Sequence, residues 1–284
     1  MKGIKNLFRN RTMIIATMHG KNKVIAPIME QGLGVKPYTP SDFNTDTLGT
    51  FTGEIERKDD PVTTLRKKCL WAMEMYQIDL GIASEGSFGP HPLLFGVHAD
   101  EEWVMMIDKM NDLEIIERQL SIETNFSGNE IKSEQALRSF ADKAFFPSHR
   151  LVVRNEKNGN KKIIKGIGEW EELLSSYHDV SKTFGSAFVE TDMRAMFNPS
   201  RMNVIALAAK KIVDRSNSLC PICETPGFGI TGHNSGLTCE LCKSPTRSTL
   251  ELEYSCNCCG FSMKEKYPHG KFFEEPMYCD VCNP

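Results

Sequence analysis

Eight cysteines late in the chain constrain its fold most strongly. Nine of the ten cysteines follow residue 219, and eight of these form four Cys-x2-Cys pairs. Each pair can present two thiolates to one tetrahedral zinc ion, so the spacing predicts two four-cysteine zinc sites. A disulfide framework is the alternative, but it is typical of secreted chains. The pairs are Cys220 and Cys223, Cys239 and Cys242, Cys256 and Cys259, and Cys279 and Cys282.

The way in which the pairs combine decides the topology of residues 216–284. In a sequential arrangement, the first two pairs bind one ion and the last two bind the other. In an interleaved arrangement, the first pair combines with the third. We expect the sequential arrangement, because each half then resembles a self-contained zinc ribbon and Gly260 directly follows a pair. Closed four-cysteine sites are usually structural, so this double zinc-ribbon module is predicted to pack on the main domain or to bind a protein partner.

Length and composition predict a second, larger domain over residues 1–215. A chain of 284 residues is long enough for about two domains, and a charged fraction of 25% is ordinary for a globular protein. No apolar run approaches the roughly 20 residues of a membrane span, and residues 1–11 do not resemble a signal peptide. We therefore expect a cytoplasmic protein without a membrane partner. The net charge of −3 disfavours binding to duplex nucleic acid.

Strands and helices alternate along residues 1–215, which predicts an α/β domain with a mixed, partly parallel sheet and flanking helices. Asp60 and Pro61 are typical of the cap and first residue of a helix. Cys69 falls on the apolar face of that helix and is predicted to be a core residue. The predicted strands are 13–18, 35–38, 80–84, 103–108, 114–122, 151–154, 163–167 and 187–190, and the predicted helices are 23–31, 61–77, 133–145, 169–176 and 199–217.

Polar residues gather where the predicted strands end, which is where α/β sheets bind ligands. Glu85 follows the third strand, and a carboxylate among glycines there gains nothing from packing. Three charged residues follow a late strand at alternate positions, so one strand face would project them together. The alternative is a salt-bridged strand end that leads into a helix beginning at Pro199. The residues after the first strand are Thr17, His19, Gly20, Lys21 and Lys23, and those after the late strand are Glu190, Asp192 and Arg194.

Three short motifs occur in a fixed order: the turn ATMHGKNK, the helix start TLRKKC and the strand end GIASEGSFG, followed by a predicted hairpin. In this order they resemble the inosine/xanthosine triphosphatase group of nucleotide pyrophosphatases, over residues 14 to about 123. His19 stands in place of that group's asparagine, and Ser87 in place of its second glycine. Over its full length, the chain is also similar to a bacterial family of unknown function that ends in a zinc ribbon.

The resemblance implies hydrolysis of a nucleoside triphosphate to a monophosphate and pyrophosphate. Such a reaction needs cations and amides on the phosphates, and a carboxylate-held Mg²⁺ or Mn²⁺ ion that orients water. Candidate phosphate-binding residues are Thr17, the turn His19–Lys21, Lys23, Arg66 and Lys68. Glu85 is the main candidate metal ligand, with help from Glu54, Glu56 or Asp79. His91, between two prolines, could shape a loop or contact the substrate. The alternative for the lysine and arginine candidates is that they are solvated surface residues, which is as frequent on helices as a role in binding.

Two other classes of function fit the same sequence. A non-catalytic protein could bind a nucleotide or a nucleotide signal and recruit a partner through its zinc module. A nucleic-acid-associated factor would need a local basic groove, which the charge balance disfavours. A homodimer is compatible with all three hypotheses. A carboxylate cluster able to hold Mg²⁺ would favour the enzyme, and its absence would favour the non-catalytic binder.

Overall fold

The structure is a computed structural model that describes residues 7–43 and 60–284. These residues form two compact units, Phe8–Val213 and Asp214–Pro284, the second together with Leu7. We call them the N-terminal and the C-terminal unit. The candidate metal ligands Glu54 and Glu56 lie outside the described residues. Within the described ranges, no helix is both long and apolar enough to cross a membrane.

The first sheet of the N-terminal unit has five strands. They are β1 (Thr12–Ala16), β2 (Lys36–Tyr38), β3 (Leu80–Pro90), β4 (His98–Asp108) and β5 (Leu113–Ser121). They lie in the order β2-β1-β3-β4-β5. Strand β1 is parallel to both of its neighbours, whereas β4 is antiparallel to both of its own. The predicted mixed, partly parallel sheet is therefore confirmed.

Helices α1 (Asn22–Leu33) and α2 (Pro61–Met75) flank this sheet. The side chain of Asp60 accepts hydrogen bonds from the amides of Val62 and Thr63, both at 3.0 Å, and so caps α2 as predicted. Cys69 on the inner face of α2 is completely buried, which confirms it as a core residue. Burial raises the pKa of its thiol to about 12, so this cysteine stays protonated and unreactive.

A second sheet lies later in the N-terminal unit. Its strands are β6 (Gly128–Ile131), β7 (Leu151–Arg154), β8 (Ile163–Ile167) and β9 (Ala187–Thr191), in the order β6-β9-β7-β8 with antiparallel pairing throughout. Helices α3 (Glu134–Lys143) and α4 (Trp170–Phe184) cover it through a core that includes Leu137, Val153 and Leu173. Helix α5 (Pro199–Asn217) follows this sheet in the chain.

Strands β3 and β4 are longer than the sequence predicts. The sequence predicts that β3 ends at Ser84 and that β4 begins at Trp103, because glycine, proline and acidic residues disfavour strands. Instead the two strands stay paired without a break from Leu80 with Asp108 to Pro90 with His98. Tertiary pairing thus overrides local propensity. As a consequence β3 continues well beyond Ala16, the last residue of its parallel neighbour β1.

The C-terminal unit is built on a small antiparallel sheet. Its strands are β10 (Gly229–Ser235), β11 (Thr249–Ser255) and β12 (Ser262–Lys266), and β11 lies in the middle. The first cysteine pair precedes β10 and the third directly follows β11. The second pair lies in the connection between β10 and β11, and the fourth lies after β12. This order of elements determines which cysteines can meet.

Candidate functional site

The eight paired cysteines converge into two groups that could hold metal ions. The first cysteine group is Cys220, Cys223, Cys256 and Cys259, and the second is Cys239, Cys242, Cys279 and Cys282. Within each group, the four sulfur atoms all lie within 4.8 Å of one another. Contacts between pairs measure 3.6 and 3.7 Å in the first group and 3.5 and 3.8 Å in the second. Tetrahedral zinc with bonds of about 2.3 Å requires sulfur atoms about 3.8 Å apart, so both groups fit it.

The expected sequential pairing is wrong, because the first cysteine pair combines with the third and the second with the fourth. The sheet gives the physical reason. Strands β10 and β11 are antiparallel, with Gly229 opposite Ser255, so the pair before β10 meets the pair after β11. At the second group, the amide of Glu274 donates to the carbonyl of Thr238, and the amide of Glu240 donates to the carbonyl of Glu274, both at 2.9 Å. These bonds bring the last cysteine pair to the second one.

Three of the four pairs share one backbone conformation. The residue after the second cysteine is left-handed in each, with φ of 59° at Glu224, 63° at Lys243 and 73° at Gly260. Its amide donates to the carbonyl of the first cysteine at 2.9 to 3.1 Å. Such a turn aims both sulfur atoms at one point. Glycine suits this conformation best, but Glu224 and Lys243 adopt it too, so the sequence marks only one of the three turns.

Hydrogen bonds favour the thiolate form at one cysteine of each group. Bonds with Thr225 lower the pKa of Cys223 to about 6, and bonds with Ser244 lower the pKa of Cys242 to about 6. The thiolate is the form that binds metal. Cys258 belongs to neither group and is exposed. Both groups are thus complete with four sulfur ligands, and the arrangement leaves no place for a histidine ligand.

A second candidate site, made of buried charged side chains, lies in the N-terminal unit, where β3 continues past the end of β1. We call it the charge cluster; it comprises Lys21, Lys68, Glu85, Asp100, Glu102 and Arg201, which are all at most 7% exposed. Thr17 follows the last residue of β1, and its hydroxyl lies 3.3 Å from that of Ser84 on β3. Lys21 follows in the next turn, where His19 and Gly20 both have positive φ. The first-strand turn and the Glu85 region therefore lie together.

Glu102 holds two cations on one face of the sheet. Its Oε1 accepts a hydrogen bond from Arg201 Nε at 2.6 Å, and its Oε2 lies 3.4 Å from Lys21 Nζ. Arg201 also donates to the carbonyl of Met193 and lies over the ring of Phe88 at 5.0 Å. Burial lowers the pKa of Lys21 to about 8, although the nearby Glu102 opposes this shift. The result is a largely dehydrated ammonium group that depends on Glu102 for its charge.

Glu85 on β3 points to the face of the sheet opposite to Glu102. Successive residues of a strand alternate between faces, and Glu102 pairs across the sheet with Gly86 rather than with Glu85. On its own face, Glu85 forms a buried ion pair with Lys68 of α2. The negative charge of Glu85 also acts on Lys21, where it raises the pKa of the ammonium group. The charge cluster therefore surrounds the edge of β3 that β1 leaves uncovered.

Glycine is required at position 86 because the side chains of Glu102 and Arg201 lie directly against its Cα atom. A Cβ atom at this position would overlap the Glu102 carboxylate and lie 2.7 Å from Arg201 Nη2. No larger residue fits without moving a buried ion pair. The glycine after Glu85, which the sequence presents as part of a motif, thus has a packing role in this cluster.

Asp100 is the carboxylate of the cluster that lacks a strong partner. It lies two residues before Glu102 on the same face of β4 and is 1% exposed. Among the described residues, its Oδ1 accepts no hydrogen bond. Burial, followed by repulsion from Glu102, raises the pKa of Asp100 to about 8, while Arg201 and Lys21 act in the opposite direction.

Several predicted site residues lie outside the charge cluster. Lys23 is exposed, and Arg66 pairs with Glu114 at the surface. Asp79 precedes β3 and pairs with Arg11 at 3.0 Å. It is six residues from Glu85 along an extended strand, roughly 20 Å.

The ring of His91 organises a turn, and the late acidic segment forms local ion pairs. His91 Nδ1 accepts hydrogen bonds from the amides of Leu93 and Leu94, at 3.1 and 3.0 Å. Arg194 binds both carboxylate oxygens of Asp192, at 3.0 and 2.6 Å. Glu190 pairs with Arg154 at 2.9 Å. Strand β9 ends at Thr191, so only Glu190 of the three lies on a strand face.

The carboxylates of the described residues do not form a ready-made site for a divalent ion. In the ranges 7–43 and 60–284, the two cysteine groups are the only sets of three or more Cys, His, Asp or Glu whose ligand atoms converge. Glu85 is engaged by Lys68, and Glu102 by Lys21 and Arg201. A divalent ion at this edge would therefore have to displace at least one of these cations.

Sequence reasoning missed Asp100, Glu102 and Arg201. The run HADEEW contains Asp100 and Glu102 at alternate positions, which is the signal of one strand face, but acidic residues there were expected outside the strand. Arg201 lies in the first turn of α5, three residues after Asn198, whose side chain accepts a hydrogen bond from its amide at 3.0 Å. No sequence pattern indicates that this arginine turns inward.

Comparison with known proteins gives a family but no activity. A search of curated proteins found no match to the chain, and the resemblance to the inosine/xanthosine triphosphatase group remains a prediction. Residues 68–284 match the family described as a domain of unknown function, DUF6671. The matched region contains both cysteine groups and every residue of the charge cluster except Lys21. Because this match covers about three quarters of the sequence, the chain belongs to the DUF6671 family.

Proposed function

We propose that the N-terminal unit binds the triphosphate of a nucleotide at the charge cluster and hydrolyses it to a monophosphate and pyrophosphate. The C-terminal unit is, in the same proposal, a module held together by two structural zinc ions. The observation that carries the first part is the charge cluster itself, at the edge where β1 ends beside β3. The cysteine groups carry the second.

Burial of six ionisable side chains is costly for folding. A buried ion pair is often no more stable than an apolar pair of the same size, and an uncompensated buried charge costs several kcal/mol. Three carboxylates and three cations concentrated beside the end of a parallel strand are therefore better explained by ligand chemistry than by stability. The triphosphatase-like turn and Glu85 contribute to this same place.

The cations of the cluster suit a polyphosphate. Lys21 and Lys68 are held by carboxylates, so phosphate oxygens can take over these contacts without leaving an ammonium group unpaired. The amides of the Gly20 turn, just before α1, offer further donors to an anion. Glu85, once released by Lys68, is the residue placed to meet a divalent ion that arrives with the nucleotide. Mg²⁺ or Mn²⁺ bound there would neutralise phosphate charge.

A non-catalytic nucleotide-binding protein is the second candidate. It is favoured by one observation: the described carboxylates and histidines form no convergent group for a divalent ion. Mg²⁺ commonly uses only one or two protein carboxylates together with substrate phosphates. For this reason we place hydrolysis first and binding without turnover second.

A panel of nucleoside triphosphates with Mg²⁺ or Mn²⁺ separates the two candidates. We expect pyrophosphate release from at least one member of the panel, and loss of that release in Glu85→Gln with the fold retained. Glu114→Gln is the matched control, because Glu114 is a carboxylate whose arginine partner lies at the surface. Thermal stabilisation by a nucleotide without pyrophosphate release would favour the binder. Neither release nor stabilisation would refute both.

Zinc is the metal that we assign to both cysteine groups. Four thiolates at tetrahedral spacing suit zinc, and a closed site with no open position for water is structural. Thiolate ligation also favours a reducing compartment such as the cytoplasm. In this proposal the module packs or binds a protein partner rather than performing chemistry. Zinc analysis of the purified protein should find two ions per chain, and chelation should unfold the C-terminal unit.

A further inference from the structure

Strand β6 has one unpaired edge in the part of the chain that the structure describes. It is the first strand in the order β6-β9-β7-β8, so β9 is its only strand neighbour among residues 7–43 and 60–284. Proteins usually protect such an edge, because its free amides and carbonyls can pair with another chain. The edge strand β5 is protected in this way, since Lys211 Nζ of α5 donates to the carbonyl of Arg118 at 2.9 Å. No described residue makes a comparable hydrogen bond to the free edge of β6.

The register of β6 shows which backbone groups face this free edge. The amide of Thr191 donates to the carbonyl of Ser127 at 3.0 Å, so these two residues form a hydrogen-bonded pair. Hydrogen-bonded and non-hydrogen-bonded pairs alternate along antiparallel strands, and Gly128 and Glu130 therefore belong to the second kind. Their amides and carbonyls point away from β9, at a spacing of roughly 7 Å. Donors and acceptors in this arrangement match the backbone of another extended chain.

A cavity of about 520 Å³ runs beside the same strand. We call it the edge groove; it is lined by residues 129–131 of β6 and, on α3, by Ala136, Ser139, Phe140 and Lys143. Ile131 and Phe140 are at most 7% exposed and give the groove an apolar base. Ala136, Ser139 and Lys143 are exposed. The edge groove is therefore open to solvent along the wall that α3 forms.

The side chains of an added strand would reach this groove. Residues of a strand alternate between the two faces of a sheet, and Ile131 faces the core that α3 covers. Every second side chain of a chain paired with β6 would therefore point to the α3 side, into the edge groove. The apolar base suits a bulky apolar side chain at that position.

The charges at the groove indicate a further property of its ligand. Lys143 lies in the last turn of α3 and forms no ion pair with a described residue. Glu130, the acidic residue of the lining, lies 3.7 Å from Lys132. The unpaired ammonium group at the rim is thus complementary to a carboxylate of the ligand.

We propose that β6 binds an extended peptide segment of a partner protein as an added strand. The segment inserts one bulky apolar side chain into the edge groove and places an acidic residue near Lys143. Backbone hydrogen bonds to Gly128 and Glu130 supply affinity, and the groove selects the side chain. This interaction involves neither the nucleotide nor the zinc ions of the proposed function.

The probe is a library of random dodecapeptides displayed on phage and selected on the full chain. We expect the enriched peptides to share an aromatic or large aliphatic residue and an acidic residue. Fluorescence anisotropy then gives the Kd of the strongest synthetic peptide for the wild type and for two variants. Glu130→Pro removes an amide that makes no bond to β9, and an edge strand tolerates proline there; we expect binding to weaken by about tenfold or more. Ser139→Trp should weaken it similarly by filling the groove, whereas Ser175→Trp, at an exposed position of α4, is the matched control and should leave the Kd unchanged.

Hydrogen exchange locates the bound peptide on the strand. In the free protein, the amides of Gly128 and Glu130 should exchange quickly and that of Asn129, which bonds to β9, slowly. The peptide should slow the exchange at Gly128 and Glu130.

Four results would overturn the proposal. They are the absence of any enriched peptide, an unchanged Kd in Glu130→Pro, an unchanged Kd in Ser139→Trp, and unchanged exchange at Gly128 and Glu130 in the complex. A wild-type dimer that Glu130→Pro dissociates would also overturn it, because β6 would then pair with a second copy of the chain. If Glu130→Pro does not fold, Ser139→Trp and the exchange measurement decide.

Discussion

The pairing of the cysteines can be tested by zinc content in two matched quadruple variants. Replacement of Cys220, Cys223, Cys256 and Cys259 by serine removes the first cysteine group and leaves the second complete. We therefore expect one zinc ion per chain. Replacement of Cys220, Cys223, Cys239 and Cys242 leaves half of each group, and we expect no tightly bound zinc. Both variants lose the same number of thiolates, so the difference reports the pairing alone.

The magnitudes explain why this difference should be clear. A complete four-thiolate site contributes on the order of 10 kcal/mol at neutral pH. The interleaved loops span 33 residues from Cys223 to Cys256 and 37 from Cys242 to Cys279, about twice the sequential ones. Doubling a loop costs only about 0.6 kcal/mol. Chain entropy therefore favours the sequential pairing by little, and the hydrogen bonds between β10 and β11 are enough to reverse it.

Mass spectrometry under native conditions, or elemental analysis after gel filtration, gives the stoichiometry. A first variant without zinc together with a second variant that holds one ion would refute the interleaved arrangement. Two ions are expected in the unmodified chain, so the wild-type protein calibrates both measurements.

Three further predictions concern the charge cluster and can be measured by chemical denaturation. Gly86→Ala should lower the free energy of unfolding by about 1–3 kcal/mol, because the added methyl overpacks the Glu102 carboxylate; an unchanged midpoint would contradict this packing. Arg201→Met should cost about 3–5 kcal/mol by leaving a buried carboxylate short of a partner, whereas Arg66→Met at the surface should cost less than about 1 kcal/mol; similar losses would contradict the assignment. The pKa of Asp100 is about 8 in the folded protein and about 4 in the unfolded chain, so the contribution of Asp100 to stability should fall as pH rises between these values. The difference in the free energy of unfolding between wild type and Asp100→Asn should therefore change with pH over the same range. A difference that is independent of pH would contradict the raised pKa.

The sequence was sufficient for the parts of the fold that depend on local patterns. The cap at Asp60, the buried helix face with Cys69 and the exact bounds of β7, β8 and α5 follow from periodicity and from turn residues. The Cys-x2-Cys pairs mark the eight candidate metal ligands for the same reason, because the spacing within a pair is itself local. Lys21 and Glu85 were predicted as neighbours since parallel strands end at the same edge.

The other parts of the fold and of the candidate site depend on contacts between residues far apart in the sequence, which local patterns do not predict. Strand β4 begins at His98 because its backbone pairs with β3, and this extension carries Asp100 and Glu102 into the interior. Arg201 comes from a helix that follows the second sheet, 99 residues after Glu102. No local pattern contains such a contact. The cysteine pairing failed for a similar reason, since it depends on the direction of two strands and not on the spacing of ligands.

The interleaved cysteine groups affect how the C-terminal unit folds and binds metal during synthesis of the chain. A ribosome completes the first two cysteine pairs before the third exists, and these two pairs belong to different groups. A zinc ion captured by the four early thiolates would therefore join the wrong partners. Release of that ion, or exchange of its ligands, must then precede native closure. We therefore expect the C-terminal unit to mature slowly and to be sensitive to the zinc supply during synthesis, because of the order in which the thiolates appear.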